Sequence, residues 1–138
     1  MQNPLRIVND TNVWLSALYF SGKPAQIVHL IEEKSLISVV SQPILNELKE
    51  KMTIDFQTPL YAANGTISYI KSLSEFVSIQ GKDFGLRDKT DNVILETAMV
   101  GVCNFLITGD KDLLVLNKYN NLTILNPSQF LNQYNKHT

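Results

Sequence analysis

The sequence predicts an α/β protein, a parallel sheet with helices on both of its faces. Two observations carry that reading. Short, mostly apolar, β-favouring runs recur five times along the chain, and the segments between them repeat apolar residues at helical spacing. Strands that alternate with helices build βαβ units, and the resulting sheets are buried on both sides. A length of 138 residues suits one domain spanning 1–138, with a core that needs neither disulfide nor structural metal.

Leu5 to Val8 is the first run; it follows a polar start, MQNPLR, that does not resemble a secretory leader. Pro24 fits the first turn of a helix whose apolar face is Ile27, Val28, Leu30 and Ile31. Ser35 to Val40 is the second strand. Ser41 and Pro43 open a helix with Ile44, Leu45, Leu48 and Met52 on one side. Ile67, Ile70 and Leu73 mark another, and Asn64-Gly65 before them is expected to turn between two helices. The third strand is Phe76 to Ile79. Thr90 is expected to cap a helix from Asp91, with Val93, Ile94, Ala98 and Val102 as its face and Gly101 as its stop. Phe105 to Thr108 and Leu122 to Leu125 are the last two strands. Asn126-Pro127-Ser128 then opens a final helix through Phe130, Leu131 and Tyr134.

Composition narrows the function classes. Hydrophobic residues at 44% and charged residues at 18% exclude a long disordered chain. No apolar run approaches the ~18 residues of a membrane span, so no membrane partner is expected and the expected compartment is the cytoplasm. One cysteine, Cys103, excludes a disulfide framework and a Cys-rich zinc site; a buried free thiol is expected. With 12 Lys+Arg against 13 Asp+Glu, the net charge of −1 excludes tight gripping of long duplexes through a broad basic face. It does not exclude a nucleic-acid enzyme. Once the carboxylates of a metal site are set aside, cations are in excess.

Those carboxylates follow from topology. Right-handed crossovers align the carboxyl ends of parallel strands along one edge, where ligands bind. Asp10 follows the first strand, Glu47 lies inside the helix after the second, and Asp91 begins the helix after the third. Asp110 follows the fourth, with Asp112 two residues on. Crowded carboxylates raise one another's pKa values, so a cluster ionised at neutral pH needs a cation. Oxygen donors without a neighbouring His or Cys favour Mg²⁺ or Mn²⁺ over Zn²⁺. Such ions activate water and stabilise charge on a phosphodiester.

The series DTNVWLSAL, ILNEL, RDKTDN, TGDKDLL and ILNPSQFL resembles the PIN domain, especially the bacterial branch of toxin components of toxin–antitoxin pairs. The resemblance runs in order from about residue 6 to 131 and is weakest between Thr53 and Phe84. It implies a three-layer α/β/α fold with a five-stranded parallel sheet of order 3-2-1-4-5. It also implies a divalent-metal-dependent endoribonuclease using Mg²⁺ or Mn²⁺, with an RNA substrate, an antitoxin partner and, as is common in the family, a homodimer. Residue by residue, it places Asp10, Glu47, Asp91 and Asp110 at the acidic catalytic and metal-holding positions, with Asp112 as a further metal ligand. Two departures stand out. Asp110-Lys111-Asp112-Leu113 replaces an Asn or Asp, a short spacer and Asp-Phe, leaving Asp110 ranked ahead of Asp112. In RDKTDN, Thr90 replaces an acid of the frequent RDPDDN.

Supporting residues each have a plainer alternative. Asn12 can orient Asp10 or cap a helix; Ser16, one turn on, can line the cleft or simply pack. Thr108 can bond a bound water or merely end a strand, and Gly109 suits a tight turn. Arg87, Lys89 and Lys111 can meet phosphate or solvent. Asp88 is expected to pair with Arg87 or face solvent, and Glu96, roughly 140° around the helix from Asp91, to leave the cleft. Trp14, Tyr19 and Phe20 suit the core or a dimer contact better than base stacking. His29 and His137 show no ligand pattern.

Two other classes compete with the nuclease. Phosphoryl transfer to Asp10 would suit a doubly wound phosphatase or a receiver domain. Haloacid-type phosphatases, however, need an acid two residues later, where this chain has Asn12. Receivers pair their N-terminal acids and use an Asp after the third strand. A non-catalytic PIN-like module binding RNA or protein would be expected to have lost acids, and all four are present.

Overall fold

A computed structural model of the chain describes residues 3–136, so His137 lies outside the described residues. The chain runs β1 (Leu5–Asn9), α1 (Thr11–Tyr19), α2 (Lys23–Glu32), β2 (Leu36–Val40), α3 (Gln42–Ile54), α4 (Leu60–Leu73) and β3 (Ser74–Phe76). It continues α5 (Lys89–Val100), β4 (Phe105–Ile107), α6 (Lys111–Leu114), β5 (Lys118–Tyr119), β6 (Leu122–Leu125) and α7 (Pro127–Lys136). The sheet order is β3-β2-β1-β4-β6-β5. The five expected strands are all parallel and lie in the expected order, β6 taking the place of the predicted fifth. The sixth, two-residue β5 folds back antiparallel on the β6 edge. It is too short to register as a hydrophobic run.

Helices cover both faces because each inner strand alternates its side chains between them. Ile7 packs with Trp14, Leu48 and Phe130 on one face. Its neighbour Val8 packs with Val39, Ile94 and Leu106 on the other. A strand buried on both faces is mostly apolar, which is why β1, β2 and β4 show as largely apolar runs, broken by Arg6 and Asn9 in β1 and Ser38 in β2. Among the described residues no helix is long and apolar enough to cross a membrane.

Several local expectations are corrected. Asn64-Gly65 is not a turn. Both residues lie inside α4, exposed on its outer side, while Ala63 and Ile70 bury the inner one. A solvent-side glycine costs a helix about 1 kcal/mol, and tertiary packing outweighs that. The edge strand β3 begins at Ser74 rather than Phe76, its hydroxyl bonded to that of Ser38 at 2.9 Å. An edge strand needs no unbroken apolar run. Thr90 is not the cap of α5. Asp88 caps it, accepting from the Thr90 amide at 2.9 Å.

Gly101 does end α5, for a different reason than expected. Its φ is an ordinary −77°; the left-handed residue is the next one, Val102, at φ 50°. What requires glycine is proximity, since a Cβ at 101 would stand 2.6 Å from Val39 Cγ1. Gly101→Ala is therefore expected to cost about 1–3 kcal/mol by overpacking. In a double-mutant cycle, Val39→Ala should absorb part of that cost. Val102→Gly should stabilise by about 1 kcal/mol by relieving a β-branched residue at positive φ. Urea midpoints check both; an unchanged midpoint for Gly101→Ala would contradict the contact.

Candidate metal centre

The site forms where β1 and β4 lie side by side. The Asp10 amide donates to the Ile107 carbonyl at 3.0 Å, extending the β1–β4 ladder by one residue. The chain then turns into α1, and Asp10 caps that helix, its Oδ1 accepting from the Val13 amide at 2.9 Å. Its Oδ2 accepts from the hydroxyl of Thr108, a fully buried residue just past β4. The same Thr108 oxygen accepts from the Asp110 amide at 2.9 Å. One hydroxyl thus fixes both Asp10 and the start of the Asp110 loop. Asp110 in turn caps α6 through the Asp112 amide at 2.8 Å.

The third side comes from α5. Asp88 stands at its cap and Asp91 in its first turn. Carboxylate oxygens of Asp88, Asp91 and Asp110 lie within 4.8 Å of one another. Burial of Asp91 and the charges of Asp110, Asp88 and Asp10 push its carboxyl up to about 7. Burial also raises Asp10, against its bonds from Thr108 and Val13; Asp110 adds to the rise and Lys51 opposes it. The fourth side is α3, where Ser41 directs its hydroxyl to Thr97 of α5 at 2.8 Å rather than capping its own helix. Glu47 on α3 pairs with Lys51 one turn on, at 3.2 Å, and Lys51 donates to Asn12 Oδ1 at 3.3 Å.

Asp10, Asn12, Glu47, Asp91 and Asp110 line one cleft of about 90 Å³, together with Lys51 and Asp88. Thr108 sits behind Asp10. Ser16 is half-buried and does not line the cleft. Asp112 and Arg87 lie outside the cleft, bonded to each other at 2.8 Å. Arg87 therefore does not pair with Asp88, and Asp88 is neither its partner nor idle: it joins the acidic triad. Trp14 is buried, and Tyr19 stacks on Phe56 at 4.0 Å between centroids. Phe20 is exposed. His29 of α2 pairs with Glu33, just past the helix, at 2.9 Å. Burial pushes the Cys103 thiol up to about 12.

Three residues escaped sequence reasoning. Asp88 could have been found from the spacing Asp88-x-x-Asp91, a cap followed by a first-turn acid on the same helix end. Lys51 is four residues after Glu47, a helical ion-pair spacing. Glu96 leaves the cleft as expected, yet it is buried and receives the backbone amides of Gln80, Gly81 and Lys82 at 2.8 to 2.9 Å. Desolvation raises its pKa, and the three amides more than reverse that, holding it below the usual range. No local pattern announces such an anchor.

The donor set fits a hard divalent cation. Every ligand candidate in the triad is a carboxylate oxygen, and Asp91, its carboxyl pushed up to about 7, is fully ionised at neutral pH only beside an opposing charge. The linkage has a definite sign. Asp91 holds its proton more tightly folded, at about 7, than at its ordinary 3.8. Its stabilising contribution is full below the lower value and lost as pH rises through the higher one. The Tm of the ion-free protein should therefore fall between about pH 4 and pH 7 on this residue's account and level off above. Asp91→Asn should flatten the fall, and Mn²⁺ should raise Tm more at pH 8 than at pH 5. Calorimetry checks all three; a Tm gain from Mn²⁺ that is independent of pH would contradict the assignment.

Comparison with known proteins gives the arrangement a family. The PIN domain profile matches residues 6–112. The uncharacterized protein MJ1680 of Methanocaldococcus jannaschii is 33% identical, across 96% of this chain and 93% of its own. The crystal structure of PAE2754 from Pyrobaculum aerophilum superposes with a TM-score of 0.60 at 14% identity, covering 94% of this chain and 89% of that one, a likeness of fold. PIN domains are generally metal-dependent nucleases that use divalent ions, and this chain carries an acidic cluster of that kind. By sequence, topology and the acids at its sheet edge, the chain belongs to the PIN domain family.

Proposed function

We propose that the protein is a divalent-metal-dependent endoribonuclease acting on single-stranded RNA. The observation that carries the reading is the convergence of Asp88, Asp91 and Asp110 within 4.8 Å, beside Asp10 and facing Glu47. Asp91, Asp110 and Asp10 would hold Mg²⁺ or Mn²⁺, with Asp88 and Glu47 completing the set directly or through water. When bound, the ion supplies an acidified water and positive charge for the scissile phosphate.

The chain's own residues supply the rest. Thr108 donates to Asp10 Oδ2, leaving that carboxylate one orientation, and holds Asp110 through its amide. Lys51 neutralises Glu47 at 3.2 Å and keeps the far wall of the cleft from repelling a polyanion. Asn12, bonded to Lys51, fixes the ammonium against α1. The Arg87–Asp112 pair stands at the rim, exposed on both sides. Pairs so exposed contribute about 0–1 kcal/mol, so phosphate can displace Asp112 from Arg87.

Phosphoryl transfer to Asp10 is disfavoured by the same geometry. Asn12 stands two residues on, where a haloacid-type phosphatase needs an acid, and its Oδ1 accepts from Lys51.

Purified protein should cleave single-stranded RNA with Mn²⁺ and stop on chelation. Asp10→Ala and Asp91→Asn should each lower the rate by about 10²-fold or more. Cleavage persisting in Asp10→Ala would refute the assignment. Thr108→Val should cost 10- to 100-fold, roughly, in metal affinity or rate, the usual effect of removing a residue that orients a ligand. Thr108→Ser, which keeps the hydroxyl, should recover most of it; titration calorimetry with Mn²⁺ separates the two.

A further inference from the structure

A second concavity opens at the same end of α5, on the adjacent side of the helix. It holds about 480 Å³ between the loop after β3 and the helix. Lys89, Asn92 and Glu96 line it from α5, at positions one and two turns apart on one face. Lys82, Asp83 and Arg87 line it from the loop. The metal cleft is lined by Asp88, Thr90 and Asp91 of the same turn. The helix start therefore separates an acidic wall from a basic one.

Three exposed cations, one exposed carboxylate and the buried Glu96 line this pocket, so its surface groups are mainly cationic. Glu96 is buried and committed to three backbone amides. Asp83 is exposed, and its Oδ1 accepts from the Gly85 amide at 2.7 Å. Against that one surface carboxylate stand Lys82, Arg87 and Lys89. The Lys82 ammonium lies 5.1 Å from the centre of the Phe84 ring, and Lys89 has no ion-pair partner among the described residues. Arg87 spans from this pocket to Asp112 through the exposed pair already described. The loop is not a loose tail, because Glu96 pins residues 80–82 and Asn92 Oδ1 accepts from the Phe84 amide at 2.9 Å. A basic wall held in place beside a phosphodiester-cleaving site has an evident ligand.

We propose that the Lys82–Arg87–Lys89 pocket binds the phosphate backbone of single-stranded RNA next to the scissile bond. The buried Glu96 acts as the positioning residue that shapes it. This inference rests on the nuclease reading above. It adds that affinity for RNA is supplied mainly outside the metal cleft, by cations that touch no reacting atom. Each neutralised phosphate releases condensed counterions, so each lysine that makes such a contact contributes about 0.7 to the log–log salt slope of single-strand binding.

The test uses the Lys82→Ala/Lys89→Ala double variant of the full chain, with matched Tm as the folding control. Binding of a fluorescent twelve-uridine RNA is followed in Mn²⁺ on an Asp10→Asn background, across a salt series. Cleavage of the same RNA and of a uridine dinucleotide, too short to reach past the scissile bond, is followed on the native background. The expected result is weaker binding by about tenfold and a salt slope shallower by about 1.4. KM for the long RNA should rise with kcat unchanged, and dinucleotide cleavage should not move. Lys82→Arg/Lys89→Arg should behave as the native protein. Unchanged binding and slope would overturn the proposal, as would equal losses on both substrates. Displacement of the RNA by poly-glutamate at equal charge concentration would also overturn it, assigning the pocket to an acidic protein segment. If the native protein cleaves nothing, the nuclease reading fails, and the binding arm alone still decides the pocket.

Discussion

Mutual repulsion among buried carboxylates is the constraint around which the molecule is arranged, and the Thr108 hydroxyl is the device that fixes it. A hydroxyl has one proton and two lone pairs. Here the proton goes to Asp10 and a lone pair to the Asp110 amide. That arrangement exists only because β1 and β4 are neighbours in register, with Asn9 opposite Ile107. Any sheet order separating those strands would part Asp10 from Thr108 and dissolve the site. The buried inner strands, the helices on both faces and the bond between Ser41 and Thr97 all serve to keep that one edge intact.

The acids are held by local structure as much as by tertiary contacts. Asp10, Asp88 and Asp110 each cap a helix through a backbone amide. Capping and metal binding are compatible, since each carboxylate oxygen has two lone pairs and a capping amide takes only one. Asp91 differs. It caps nothing, is buried, and is surrounded by charges of its own sign, so it carries the pKa of about 7. Glu96, five residues on and roughly 140° around α5, has the reverse environment. Three amides draw its pKa down and turn its charge into an anchor for the loop. Two carboxylates on one helix thus take opposite roles because one meets like charges and the other meets N–H dipoles.

Parallel pairing and most helices were legible because hydrophobic period is a local property, written within a dozen residues; the strand order followed from the family resemblance alone. Misreadings occurred where local signals were weak or served another purpose. Asn64-Gly65 looks like a turn because glycine is permissive, yet the inward faces of Ala63 and Ile70 carry the helix through it. Gly101 looks like a left-handed stop, yet it is there because Val39 lies against it. The first kind of error is packing overriding propensity; the second is a contact 62 residues away in sequence, which no window contains.

By itself, the sequence determined that acids would follow four strands of a parallel sheet and gather at one edge. Period and chain chirality require it. Only the tertiary structure decided which acids meet. Asp88 joins Asp91 and Asp110, while Asp112, two residues from Asp110, turns out to Arg87. It also decided that Lys51 reaches across to Asn12 and that Glu96 folds a loop over α5 to form a basic pocket. These are matters of a few ångströms and of side-chain direction. Spacing along the chain sets which edge a residue occupies; only the packing of whole elements sets what it touches there.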